Sequence, residues 1–406
     1  MSAIAFDPFD PAVVADPYPA YRALREAPRE GGFFGWLLTR YDDVSTVLRD
    51  PTTSAVRPEP PLEELPEAMR PAVAKLREYW RLMLFTMDPP GHTRLRRLVA
   101  QAFTPRVVEA LRGRVESIAA ELLARRDGDA YDVIGDLGYP LPMRVICELI
   151  GLPPEDADRF KMWSDDLGAS LGGGPTAPDR VERQVRAAAS LDAIREYLVR
   201  LIADRRGRPR GDLLSGLIAA EEEGERLSSD ELVATCVLLL GAGHETTTNL
   251  IGNGTLALLR HPDELERLRR DPSLLPTAVE ELLRYDSPVQ AAARVATAPI
   301  ELDGATIRPG EWVSLLIGAA NRDPRQFTDP DRVDVGRREA RHLSFGHGPH
   351  FCLGAALARL EAEVAFRKLV VESPPFELAQ QELVWKPNAA FRGLESLQVR
   401  FRDERA

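Results

Sequence analysis

Cysteine is scarce in this chain: Cys147, Cys236 and Cys352 are the only thiols among 406 residues. They lie too far apart for a disulfide framework, and their odd number leaves at least one free, so a reducing compartment is expected. Long apolar runs are missing too. The nearest, at 232–240, falls well short of the roughly 18 residues that a membrane span requires. The opening, MSAIAFDPFDPAVVADPYPAY, has aspartates and prolines where a secretory leader has basic and then apolar residues, so a cytoplasmic protein is expected. Excess positive charge is also lacking. A net charge of −11 speaks against nucleic acid, which needs a clustered basic face. Arginines gather only locally, at RLRRLVAQAFTPR (94–106) and GRREAR (336–341), either as solvated charge or as a docking patch for an acidic partner.

What is present is a soluble globular composition, 44% hydrophobic and 28% charged, with enough apolar residues for a sizeable core. Helical periodicity fills much of 105–290, and short alternating segments cluster near both ends, so the expected fold is mainly α with a smaller β region. The glycines around 168–178 predict a surface connection between two helices. In LSSDEL, Ser228 and Glu231 have capping-box spacing, flanked by Leu227 and Leu232 as a hydrophobic staple. The helix they open is expected to reach Arg260, about 45–50 Å in all. In PIELDGATIRPGEWVSLLI, Asp303-Gly304 and Pro309-Gly310 mark turns between short strands, and LESLQVRF (394–401) has the alternation of another.

Two segments are costly to ordinary structure. FGHGPHFCLG (345–354) sets one cysteine among glycines and histidines, and three explanations compete. A packed core thiol is the commonest fate of a lone cysteine, but this loop offers few side chains to pack. His342, His347, His350 and Cys352 would satisfy the donor count for zinc, without the usual paired spacing. The third explanation is an axial thiolate to haem iron. Glycines let the backbone approach a flat macrocycle, and a helix starting at Leu353, with apolar Leu357, Leu360 and Val364, puts the thiol where it ionises most readily. The second segment is GAGHETTT (241–248), where two glycines, an acid and three threonines burden the long helix. Close helix packing at Gly241 and Gly243 is one reading.

FGHGPHFCLGAALARLE (345–361) resembles the haem-binding signature of the cytochrome P450 monooxygenases, Phe-Gly-x-Gly-x-His-x-Cys-x-Gly, at every position. The resemblance runs through the whole chain, read as one domain over 1–406, and implies the P450 fold, with haem b (iron protoporphyrin IX) between the long central helix and the cysteine loop. It implies that Cys352 is the iron ligand, that Phe345 shields the sulfur, and that Gly346, Gly354 and Ala242 make room for the macrocycle. His350, His92, Arg96 and Arg294 meet its propionates, carboxylates that need cationic or N–H donors if they are buried. Ala242-Gly243-His244-Glu245-Thr246 matches the family's oxygen-activating segment, making Glu245 and Thr246 the proton-handling pair; His244 is expected to be structural or solvent-facing. Glu281 and Arg284 form the family's Glu-x-x-Arg pair, with Arg332 as the expected later arginine.

Leu238, Leu239, Ala242, Val289, Ala292 and Phe391 are the expected apolar lining, with part of 55–85 as a roof. The implied substrate is an apolar small molecule such as a fatty acid, terpenoid, steroid or macrolide, oxidised with dioxygen. No nucleotide-binding glycine pattern or cysteine cluster supplies electrons. A ferredoxin-type donor with its reductase is therefore expected, docking in part on Arg94, Arg97 and Arg341. Two rival functions remain: a non-catalytic haem protein for sensing or electron transfer, and a zinc-stabilised binding protein.

Overall fold

The computed structural model describes residues 6–26, 35–56, 59–171, 179–222, 227–302, 304–338 and 341–402. It is mainly helical with small sheets, and it divides into two compact units. One comprises Met1–Thr53, Val108–Pro142 and Glu245–Ala406; the other comprises Ser54–Val107 and Met143–His244. Among the described residues no helix is long and apolar enough to cross a membrane.

In the first unit the strands Trp36–Leu38 and Trp312–Leu316 pair in parallel. Ala291–Ala296 joins Trp312–Leu316 antiparallel, setting Ala292 opposite Leu315 and Arg294 opposite Val313. Side chains two apart on a strand share a face, so Ala292 and Arg294 emerge together. Trp36, Leu38, Val313, Leu315 and the helix residues Val44, Val47 and Leu48 bury one another. Ile300–Leu302 and Ala305–Ile307 form the expected hairpin, with Gly304 in the left-handed region; Asp303 lies outside the described residues. The strand expected over 394–401 is shorter, Gln398–Phe401. It pairs with nearby Phe376–Leu378 and with the distant Ala130–Asp132, so its partners are not purely local.

Helices carry the rest of this unit. Tyr18–Arg25 is held down by Arg322, whose guanidinium lies 3.4 Å from the Tyr18 ring centre and 3.8 Å from that of Tyr285. Such a sandwich joins the charge to two aromatic faces at once. Tyr18 also donates its hydroxyl to Asp286, which accepts from Arg392 as well.

The second unit is helical. Ala157–Leu171 and Arg180–Gly207 pack closely, with Phe160 edge-on to Tyr197 at 5.0 Å. Residues 168–171 therefore continue a helix where a loop was expected; 172–178 lie outside the described residues. Over 55–85 the main element is the helix Arg70–Trp80, with 57–58 outside the described residues. The long helix spans Ser229–Arg260 and contributes residues to both units. Its cap has the expected geometry: the Glu231 amide donates to the Ser228 hydroxyl and the Ser228 amide to the Glu231 carboxylate. Leu227 and Leu232 are buried at the staple positions.

Candidate active site

The three thiols separate by burial. Cys147 and Cys236 are enclosed, and burial pushes each up to about 12, far from the thiolate range. Cys352 is only half-buried. It sits between a single turn at Gly348–His350 and the helix Ala355–Phe366. The helix thus begins two residues later than the expected start at Leu353, because Leu353 and Gly354 form a turn first. Cys352 donates its amide to the Phe345 carbonyl at 2.8 Å, closing the loop.

Two glycines in that loop have positive φ, Gly346 at 71° and Gly348 at 70°, a conformation that a side chain resists. At Gly348 a Cβ would also lie 2.6 Å from the Leu48 carbonyl oxygen. The backbone here therefore needs glycine twice over. The zinc reading fails on geometry. His342 turns to Glu280 and His347 to Ser45, and no group of three or more potential ligands assembles among the described residues.

Along the long helix, Ala242 is exposed and Gly241, Gly243, Glu245 and Thr246 are half-buried, whereas Thr247, Thr248, Asn249 and Leu250 are buried. The glycines divide the work. A Cβ on Gly243 would lie 2.9 Å from Ile146, so close packing explains it, but around Gly241 there is open space. His244 is buried and structural, its Nδ1 2.7 Å from the Leu240 carbonyl.

Of the remaining expected residues, Arg294 is buried on its strand and donates to the Ala293 carbonyl. His350 is half-buried in the turn before Cys352. Val289 and Phe391 form an antiparallel bridge that sets them side by side, just before the strand bearing Ala292. In the second unit, buried His92 and half-buried Arg96 share a face of the helix Gly91–Ala100, and Leu238 and Leu239 are half-buried on the long helix. Arg94, expected to dock a partner, forms an ion pair with Glu231. Arg97 and Arg341 are exposed.

The arginine expected opposite Glu281 is corrected. Glu281 accepts from Arg284 at 2.7 and 2.9 Å, from Arg337 at 3.0 Å and from the Asp334 amide at 2.9 Å. Arg332 contributes its carbonyl, which accepts from both Arg284 and Arg337. Arg337 lies in the GRREAR cluster, so at least one of those charges is buried structure, while 339–340 lie outside the described residues.

Sequence reasoning missed two further arrangements. Glu280, next to Glu281, binds Arg359 through both oxygens at 2.6 and 2.9 Å and lies 3.3 Å from His342. Burial pulls its carboxyl upward, but His342 and Arg359 outweigh that and hold it down at about 2. Glu361, on the helix after Cys352, is enclosed. The position of Arg359, two turns after Cys352, was a signal; Glu361 gave none.

Within the first unit the donor set fits a haem group: a half-buried thiol with open space beside Gly354, buried Arg294 and half-buried His350. Comparison with known proteins agrees. The family model described as Cytochrome P450 matches residues 180–387. Cytochrome P450 107B1 of Saccharopolyspora erythraea is 44% identical, over 97% of this chain and 96% of its own. Vitamin D(3) 25-hydroxylase of Pseudonocardia autotrophica is 43% identical, over 95% and 93%. The crystal structure of CalO2 superposes with a TM-score of 0.88 at 36% identity, covering 98% of this chain and 99% of that one. The chain belongs to the cytochrome P450 family and is a haem-thiolate monooxygenase. Haem, dioxygen and a source of electrons are what that family requires.

Proposed function

We propose that residues 1–406 act as one catalytic domain that holds haem b through Cys352 and hydroxylates or epoxidises an apolar small molecule in the cytoplasm, with electrons from a ferredoxin-type donor and its reductase. One observation carries this reading: Cys352 is a half-buried thiol closed into a loop by two left-handed glycines. When bound, the haem supplies the redox chemistry, and thiolate donation favours O–O cleavage.

The side chains of the protein do the rest. His92, Arg96, Arg294 and His350 are the donors for the two propionates, whose charge would otherwise be costly to bury. Glu245, half-buried on the long helix, exchanges protons with solvent, and the neighbouring Thr246 hydroxyl hands them on within hydrogen-bond reach of the reacting oxygen. Leu238, Leu239, Ala242, Val289, Ala292 and Phe391 exclude water and orient an apolar substrate. Candidates are a fatty acid, terpenoid, steroid or macrolide, and the name of the vitamin D(3) 25-hydroxylase supports hydroxylation as the reaction. Arg94, Arg97 and Arg341 are the candidates for the donor's docking face, with Arg97 and Arg341 exposed.

Two measurements test this. The reduced protein exposed to carbon monoxide should give the red-shifted Soret band of thiolate coordination; a folded protein without that band refutes the assignment of Cys352. In Thr246→Ala, product per electron pair should fall on the order of tenfold or more, with hydrogen peroxide taking the difference. A non-catalytic haem protein would show no such diversion.

A further inference from the structure

Phe345 stands at the start of the cysteine loop, and its carbonyl accepts the Cys352 amide. Its ring is held from two sides. The Arg359 guanidinium carbon lies 4.5 Å from the ring centre, within range of a cation–π attraction. The His342 ring lies 5.8 Å away, tilted by 46°. Both holders are anchored on one carboxylate, since Glu280 accepts the Arg359 fork and faces His342. Arg359 projects from the helix that follows Cys352, and Glu280 from the helix Leu275–Tyr285. Arg359 is 40% exposed and Glu280 20%, so the pair is only partly screened.

An ordinary ion pair between two helices needs no ring against it. Here the cation lies over the aromatic side chain next to the sulfur-bearing turn. Reduction of the haem adds one negative charge near that turn. A positive charge close by favours the reduced state, and a carboxylate disfavours it. Groups behind a metal's ligand tune the metal in this way without touching it.

We propose that the Glu280–Arg359 pair, acting through Phe345, sets how readily the haem accepts its first electron. The inference rests on the assignment of Cys352 as iron ligand. Arg359 and Glu280 are positioning residues in this scheme, and the two act in opposite directions.

The test is the midpoint potential of the haem-loaded protein as wild type, Arg359→Gln, Arg359→Lys, Glu280→Gln and the double Gln variant, with haem content and the carbon monoxide band measured for each. Arg359→Gln should make reduction harder and Glu280→Gln easier. Each change should be about three- to tenfold in the one-electron equilibrium constant, tenfold being about 59 mV. Arg359→Lys, which keeps the charge, should lie nearer wild type, and the double variant should fall between the singles. Potentials that stay put, or that move in the same direction in both single variants while the thiolate band is intact, overturn the proposal and leave the Cys352 assignment standing. A wild-type protein without the thiolate band overturns both. Should Arg359→Gln shed its haem, Glu280→Gln decides: an easier reduction supports the proposal and an unchanged one ends it.

Discussion

Glu361 is an acid enclosed in the fold. Burial pushes its carboxyl from about 4.5 up to about 8, and the Thr247 hydroxyl beside it pulls less strongly the other way. The folded chain therefore holds this proton more tightly than the unfolded chain, and stability falls as pH rises from about 4.5 towards 8. Glu361→Gln removes that slope. The variant should gain on wild type by on the order of 3 kcal/mol between about pH 5 and pH 8, read as a higher thermal midpoint at the upper pH and little change at the lower. Parallel midpoints would mean that the carboxyl is not held neutral. In the sequence Glu361 is one acid in a helical stripe, and only packing makes it unusual.

At the level of elements, the long helix explains why composition misleads locally. Four glycines in a helix of 32 residues weaken it by propensity alone. Tertiary contacts account for three of them. A Cβ on Gly243 would crowd Ile146, one on Gly252 would lie 3.0 Å from Ile134, and one on Gly254 would lie 2.6 Å from the Phe366 ring. Phe366 is fully buried. Gly254→Ala should therefore destabilise by about 1–3 kcal/mol through overpacking, despite alanine's better helix propensity; a midpoint that rises would show that the ring yields. The ends of this helix were legible, because a capping box works within four residues. The start of the helix after Cys352 was not, since the turn at Leu353 and Gly354 follows from how the loop closes on Phe345.

Across the whole molecule, the Glu281 cluster ties together segments more than fifty residues apart. Glu281 and Arg284 are fully buried, and Arg337 joins them from a distant loop. Removing the anion leaves two guanidinium groups without their countercharge, a loss of about 3–5 kcal/mol when a buried pair is broken. Glu281→Gln should lower the thermal midpoint and the haem-to-protein ratio together; unchanged haem content would separate this cluster from the cysteine loop. The sequence by itself determined the glycine-rich turn around the thiol, the helix cap and the mainly helical class, because each depends on neighbours within one or two turns. Tertiary structure alone decided that Arg337 rather than Arg332 meets Glu281, that Glu280 joins His342 to Arg359, and that Glu361 is enclosed. Those outcomes depend on where the chain's path brings remote side chains together, and no local spacing encodes it.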